Sequence, residues 1–569
     1  VGRLYGVSSE KEIQEWAFSF DCQNVSKWAR KGDGDWCAII FDRAEKTLYI
    51  VSDRNGASRI YYTYGRGTCA ISSRLWEILP SMEAPNISSF SAFALLTTYY
   101  TLDPYALVES VRVTTPGGFV RITESEITSN TYYHPVKSAP QYYRSEDECV
   151  RELDRSFDGV FKKRLTPARI PMVLLSGGID SVAMVRYVSK HAEGPIHTLT
   201  FSVAGQKINE HEPARVAAQH FGTIHHELVI DGNQAVDLFI QSCSEGNRPN
   251  LSTMLALAVK NYVSQLDGNY DIFSGEDGRI HTPDFDLVKQ FSIWLNITKG
   301  GPRFPLMQRG LARLLKLWPW YPRNFLCRVA GQVYPAVNSD EYFLEYVNKF
   351  SVPSDFDLLA SSEFELLIQE VSSFSRGTAV KDIFRKNTKL SHLLQHTDNL
   401  EVTSSIECKK IAKHSPFFDW EAVEVFNRIP FSLGAKGVFT MHSWSRFLVV
   451  NKRLLRRALK DAVPNSILYR RKSVASAVDV LLTGQFLLFI NRLLDNWLDD
   501  FYVAVTPQVE NLARLYIGEF RNKSSEMKVV YATLSICYVS MINQKCLDSE
   551  FDAIAELNQI KKDIENESA

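Results

Sequence analysis

The sequence carries no surplus charge of either sign. Its 64 Lys and Arg against 65 Asp and Glu leave a formal net charge of −1, which argues against bulk electrostatic binding to nucleic acid. No apolar run reaches the roughly eighteen residues of a membrane span. The first twenty residues, VGRLYGVSSEKEIQEWAFSF, hold acidic side chains and no apolar signal core, so the expected compartment is the cytoplasm. Nine cysteines stand singly between Cys22 and Cys546, with no C-x-x-C pair and no Cys/His grouping. That pattern indicates buried thiols rather than zinc or a disulfide framework. The phosphate loop G-x-x-x-x-G-K-[ST] is missing, and so are internal repeats and sustained heptads, which excludes solenoids and coiled coils. What remains is a chain of 569 residues with 45% apolar content, too long for one core and suited to two or three domains.

The most informative stretch is Pro171–Ser181, PMVLLSGGIDS, which runs straight into an amphipathic segment, Val182–Ala192. An apolar β-leaning run, a Ser-Gly-Gly turn and a helical pattern read as strand, tight loop and helix. Gly177 and Gly178 let the backbone approach an anion, and the first N–H groups of the helix point at it. Asp180 beside a polyphosphate then calls for a cation between them, and magnesium favours oxygen ligands shared by protein and phosphate. Ser176 and Ser181 add hydroxyl donors. The full S-G-G-x-D-S run matches the pyrophosphate loop of ATP pyrophosphatases, which implies ATP as the cofactor.

Ahead of this loop, Asp33–Ser73 alternates as strands and turns and reads as a meander, with strands near Trp36–Ile40, Leu48–Val51 and Ile60–Tyr62. A helix is expected at Ser89–Thr98, then two strands around Val111–Thr123 separated by a Pro116-Gly117-Gly118 turn. A polar connector leads into a helix at Glu146–Leu165 that is acidic early and basic late, in keeping with the helix dipole. Beyond the loop, strands at His197–Ser202, His226–Ile230 and Tyr270–Ser274 alternate with helices, among them Thr253–Leu266. This spacing predicts a parallel sheet with its ligand at the carboxyl ends of the strands. From Asp286 onward the pattern is mostly helical, with helices expected at Ser361–Val371, Trp420–Asn427, Asn451–Asp461, Gly484–Leu498 and Glu550–Asn566.

Several stretches together resemble the asparagine synthetase family. Asp33-Gly34, Asp53-Arg54-Asn55-Gly56, Tyr61-Tyr62 and Ser72-Ser73 follow the order of its amino-terminal domain. The Thr-Phe-Ser strand and Phe221–His226 resemble its synthetase domain, as do Pro416-Phe417-Phe418-Asp419 and the Val463–Lys472 segment. The resemblance implies an α/β chain in two parts. Residues 1–140 would be a degenerate glutaminase-like β-rich domain. Residues 141–569 would be an ATP-pyrophosphatase synthetase domain with a parallel sheet, a helical insertion at about 287–400 and a largely helical carboxyl-terminal part. Val1 falls where the family has its catalytic cysteine, and an apolar side chain cannot attack an amide, so the glutaminase activity is expected to be lost.

By the same resemblance the chemistry is an AMP- and pyrophosphate-forming amide synthesis. Ser176, Gly177, Gly178, Asp180, Ser181 and Gly275 would bind ATP, Asp180 and Asp277 would hold Mg2+, Lys472 would neutralise developing charge, and Glu276 would accept the amine proton. In Ser274–Arg279 the acid stands two places early, at Asp277, and Arg279 occupies the family's usual aspartate position. The amine is expected to come with a small-molecule or peptide substrate, as in β-lactam synthetases and lasso-peptide cyclases. Asparagine synthesis from ammonia and an inactive nucleotide-binding scaffold remain as alternatives. The segment Leu287–Ser339 contains no Asp or Glu but has eight Lys and Arg interleaved with Trp and Leu. It reads as a docking surface for a peptide, a partner protein or a membrane face. Nucleic acid is not expected as a partner, and the oligomeric state is not legible.

Overall fold

The computed structural model describes residues 2–5, 10–65, 67–134, 142–204, 211–275, 362–375, 401–429, 433, 440–441, 447–448, 452–470, 484–522 and 527–568. The amino-terminal part is built from two antiparallel sheets. The first has the order β1-β2-β3-β7-β8, with β1 Gly2–Leu4, β2 Gly34–Asp42, β3 Thr47–Ser52, β7 Gly118–Ile122 and β8 Ile127–Thr131; the second is β5-β4-β6, with β4 Tyr61–Gly65, β5 Thr68–Ser72 and β6 Arg112–Val113. Alternation along β3 shows how they stack. Tyr49 and Val51 face a cluster with Val25, Trp28 and Trp36, while Ile50 faces Cys37, Ile60, Tyr62, Val120 and Ile122. Successive strand residues point to opposite faces, so one sheet is covered on one side by a tryptophan cluster and on the other by the second sheet.

Two expectations need correction here. The meander breaks after β3: β2 and β3 pair from Cys37↔Ser52 to Asp42↔Thr47, but β4 leaves to begin the second sheet. The Pro116-Gly117-Gly118 turn likewise does not close a hairpin, because β6 pairs with β4 and β7 with β3. It carries the chain from one sheet to the other. The segment before Asp33 forms β1 and the helices α1 Glu10–Phe18 and α2 Val25–Lys31. Trp16 of α1 stacks on Trp28 of α2 at 4.4 Å between ring centroids.

Helix α3, Ser89–Thr98, starts where Ser88 Oγ accepts the Ser91 N–H at 3.3 Å, a standard N-cap. It is apolar on nearly every side and sits in the largest core, which it shares with α7 Ala235–Ser244, α8 Leu251–Gln265 and the carboxyl-terminal helices Gly484–Ala504, Pro507–Arg521, Met527–Leu547 and Ala553–Ser568. That core runs continuously from the amino-terminal sheets into the last helices.

The second half is organised by a parallel sheet of order β11-β10-β9-β12-β13. Its strands are β9 Ile170–Leu174, β10 His197–Val203, β11 Ile224–Ile230, β12 Tyr270–Phe273 and β13 Ile411–His414. β9 is central: β10 pairs on one side of it and β12 on the other, both parallel. The order of strands therefore reverses at β9, and an open parallel sheet holds its ligand crevice at the carboxyl ends of such strands. Helix α4, Glu146–Arg164, buries Cys149, Leu153, Phe157, Val160 and Phe161 and places Lys163 and Arg164 at its end.

Candidate active site

The loop leaving β9 lies at this crevice. Gly177 has φ +67°, a conformation that L side chains avoid, and a Cβ there would come within 2.7 Å of the backbone and side chain of Pro213. The glycine is thus required twice, by its dihedral and by the close approach of α6, His211–Phe221. Ser181 Oγ accepts the Ser176 N–H at 3.2 Å and donates to the Gly178 carbonyl at 3.0 Å, which fixes the turn. Helix α5, Ile179–His191, then begins with Asp180 in its first turn, where a carboxylate suits the positive end of the dipole.

Gly275, directly after β12, closes the other wall. A Cβ there would sit 3.0 Å from the Ser181 nitrogen and 3.1 Å from the Asp180 carbonyl carbon, so strand end and helix start meet at van der Waals distance. Ser176, Gly177, Gly178, Asp180, Ser181 and Gly275 are therefore brought together. Glu276, Asp277 and Lys472 lie outside the described residues, as do Val1 and the basic segment Leu287–Ser339.

A residue that the sequence reading passed over completes the site. Lys452 pairs through Nζ with Asp180 Oδ2, with only 7% of the lysine side chain exposed. Its φ of +58° puts it in the left-handed region just before the helix Arg453–Leu459. Such a backbone costs about 1–3 kcal/mol, and a cation at a helix N-terminus opposes the dipole. A lysine in front of the helical pattern R-L-L-R-R was the only sequence signal. Asp180 Oδ1, by contrast, is buried and has no hydrogen-bond partner among the described residues. A buried carboxylate oxygen left bare at the mouth of an anion loop has the chemistry of a ligand for a hard cation. Among the described residues no group of three or more His, Cys, Asp or Glu could hold a metal ion.

Two polar networks support the crevice. Behind the loop, Ser202 Oγ lies 2.6 Å from His211 Nε2, and His211 Nδ1 lies 3.4 Å from Glu227 Oε2. This anchors the start of α6, whose Pro213 abuts Gly177. Beneath the sheet, Arg164 Nη2 meets Asp419 Oδ2 at 2.5 Å, Lys163 reaches the same oxygen at 3.2 Å, and the Arg164 guanidinium lies 4.4 Å over the Tyr5 ring. Burial alone would raise the Asp419 carboxyl, but the Arg164 and Lys163 charges outweigh it and hold it below the ordinary range. Lys163 also bonds Asp33 at 2.9 Å, and Trp420 Nε1 donates to Asp33 at 2.9 Å. The amino-terminal part is thereby fastened to the parallel sheet. Asp53 accepts three backbone N–H groups, from Trp36, Asn55 and Ala57.

Comparison with known proteins agrees with this architecture. The asparagine synthase family model matches residues 152–257 and 373–538, and the glutamine amidotransferase domain model matches residues 22–133. Asparagine synthetase [glutamine-hydrolyzing] 3 of Bacillus subtilis is 22% identical over 475 residues, covering 78% of this chain and 67% of that protein. The asparagine synthetase [glutamine-hydrolyzing] of Rattus norvegicus is 25% identical over 269 residues, 45% of this chain and 46% of that protein. The carboxyethyl-arginine beta-lactam-synthase of Streptomyces clavuligerus is 34% identical over 85 residues, 15% of this chain and 16% of that protein. No helix among the described residues is long and apolar enough to cross a membrane. Both models match in this order, with the Ser176–Ser181 loop on the central strand of a parallel sheet, and over residues 152–257 and 373–538 the chain is similar to the asparagine synthase family.

Proposed function

We propose that the chain is an ATP-dependent amide-bond synthetase that activates a substrate carboxylate as an acyl-adenylate. The carboxylate oxygen attacks the α-phosphorus of ATP, the bond to the β-phosphate oxygen breaks, and pyrophosphate leaves onto the loop of Ser176, Gly177, Gly178 and Ser181. An amine then attacks the acyl carbon, AMP departs, and the amine gives up a proton, which Glu276 accepts. The observation that carries this reading is the loop itself: a left-handed glycine pressed against α6, a helix N-terminus, and Asp180 with one buried bare oxygen. Asp180 and Asp277 would hold Mg2+, which offsets phosphate charge when bound. Lys472, and Lys452 from the side of Asp180, would supply ammonium charge opposite the leaving phosphate oxygens.

For the amine, the reading we favour is one carried on the substrate itself, giving intramolecular amide closure of the β-lactam or lasso-peptide kind. The alignment with a beta-lactam-synthase supports it. So does the amino-terminal part, whose motif residues Asp33 and Asp53 are engaged in packing and turn formation. Asparagine synthesis from ammonia is the competing reading, supported by the longer alignment with the Bacillus subtilis relative. The basic segment Leu287–Ser339 would steer an acidic peptide substrate or partner, and the protein would work in the cytoplasm.

Two measurements test these statements. MgATP binding followed by calorimetry should be saturable in the wild type and should lose its magnesium dependence in Asp180→Asn; an unaltered magnesium dependence removes Asp180 from the metal. Product analysis with aspartate, ATP and ammonia separates the two syntheses, since asparagine together with AMP and pyrophosphate would displace the cyclase reading.

A further inference from the structure

A cavity of about 560 Å3 opens away from the loop, where the sheet β5-β4-β6 meets the second half of the chain. Its wall takes Arg59 and Tyr61 from the amino-terminal part, Asn247 and Arg248 from the turn before α8, Glu401, and Tyr538 from the helix Met527–Leu547. Neither Ser176–Ser181, Gly275 nor Lys452 borders it. A volume of this size falls in the range of about 300–1,000 Å3 typical of metabolite pockets.

The balance of donors and acceptors in the wall is one-sided. Each of its carboxylates already has cationic partners. Glu401 accepts Arg248 Nη2 at 2.9 Å and Asn250 Nδ2 at 3.0 Å, Glu245 takes Lys260 at 2.7 Å, and Glu407 is paired with Arg3. The donors are less committed. Arg59 bonds through Nη2, to Thr101 Oγ1 and Asp103 Oδ1 at 3.0 Å each, while its buried Nε has no partner among the described residues. The guanidinium lies 5.5 Å from the centre of the Tyr61 ring. Among the described residues neither the Tyr61 nor the Tyr538 hydroxyl has a hydrogen-bond partner, and both rings border the cavity. Burial raises both hydroxyls above their ordinary range, so each remains a protonated donor at neutral pH. Engaged acceptors beside available cationic and hydroxyl donors match an oxyanion, whose lone pairs take charge-assisted bonds.

We propose that this cavity is a second ligand site, which binds a small molecule through a carboxylate or phosphate group held by Arg59, Tyr61 and Tyr538. Because its wall comes from both halves of the chain, the ligand ties the amino-terminal sheets to the carboxyl-terminal helices and stabilises their docking by mass action.

The test is calorimetric titration of the full chain with inorganic phosphate and, separately, with citrate at constant ionic strength. Wild type, Tyr61→Phe/Tyr538→Phe and Ser176→Ala are compared. Phenylalanine keeps the packing and removes only the hydroxyls. The expected result is saturable binding of at least one probe, weakened about tenfold or more by the tyrosine pair and unchanged by Ser176→Ala. Preference for phosphate points to a phosphorylated ligand, preference for citrate to a carboxylic acid. If the tyrosine pair folds poorly by circular dichroism, Arg59→Lys, which keeps the charge and loses the fork, should show the same weakening. The proposal fails if neither probe binds at about 1 mM, if the tyrosine pair and Arg59→Lys bind like wild type, or if Ser176→Ala alone abolishes the signal, which would assign the oxyanion to the loop.

Discussion

Replacing Arg164 with methionine should be among the most damaging single changes that leave every loop residue intact. The guanidinium is 2% exposed and its partner Asp419 1% exposed, so solvent screening is negligible. Removing one member of a buried pair costs about 3–5 kcal/mol, because the other charge stays buried without its counterion. Here Asp419 keeps Lys163 at 3.2 Å and the Glu421 N–H at 2.8 Å, which places the loss near the lower limit, about 3 kcal/mol. The cation–π contact with Tyr5 adds on the order of 0.5–1 kcal/mol. For a cooperative unit of 150–250 residues each kcal/mol moves the midpoint by about 2–4 °C, so a total loss of about 3.5–4 kcal/mol should lower the thermal transition of Arg164→Met by roughly 7–16 °C. Scanning calorimetry at pH 7 measures it. Adding Asp419→Asn should recover part of the loss, since the stranded charge is then gone. A drop of less than about 2 °C in the single variant, within the effect of an ordinary surface change, would refute the reasoning that this network bonds the two halves together.

Gly177→Ala should cost about 1–3 kcal/mol in backbone strain and displace Pro213, so MgATP affinity should fall by tenfold or more while the far-ultraviolet circular dichroism stays the same; wild-type affinity would mean that the loop does not hold the phosphates. Stability should decline on acidification in two stages. Burial pushes the His414 imidazole below its ordinary 6.5, so folding resists its protonation and stability is lost as pH falls through that value. Asp271 and Asp419 are held below the ordinary 3.8 of a carboxyl, against their burial, by His414 and Arg169 and by Arg164 and Lys163 respectively; their contribution disappears as pH falls further. Urea midpoints between pH 7 and pH 3 check both stages, and a flat profile from pH 7 to pH 5 would remove the first. Charge reversal of Arg309, Arg313 and Lys316 to Glu should weaken substrate or partner binding in a salt-dependent way and leave MgATP binding unchanged; unaltered Michaelis constants and co-purification would count against a docking role.

The sequence was most readable where local pattern and tertiary demand coincide. Ser89–Thr98 and Trp420–Asn427 form helices at the expected limits, and β9 to β12 lie within a few residues of their expected places. An apolar run ending at glycine in a parallel sheet has few other conformations open to it. The Ser176–Ser181 turn was legible for the same reason, because Gly177 is dictated by its own dihedral. Sheet membership was not: Leu48–Val51 and Ile60–Tyr62 look alike in a strand pattern, and only packing sends the second into another sheet. α1 and α2 were hidden because their apolar residues, Trp16, Val25 and Trp28, fill one small cluster and are too few to show a period. Lys452 was illegible because its partner Asp180 is distant in sequence and nothing local announces a left-handed lysine.

The adjacency of β12 and β13 has a consequence for how such a chain diversifies. The two strands pair in parallel from Tyr270↔Ile411 to Phe273↔His414, although they stand far apart in the sequence. Both exit and re-entry points are therefore fixed by the sheet, and closing a longer excursion between them costs only about 0.6 kcal/mol for each doubling of its length. Length added between those two fixed points, away from Glu276 and Asp277, from the core residues Phe364 and Leu367 and from Glu401, would leave Gly275, Asp180 and the turn at Gly177 in place. The sheet thereby accommodates a change of length between two of its neighbouring strands with no change in strand order.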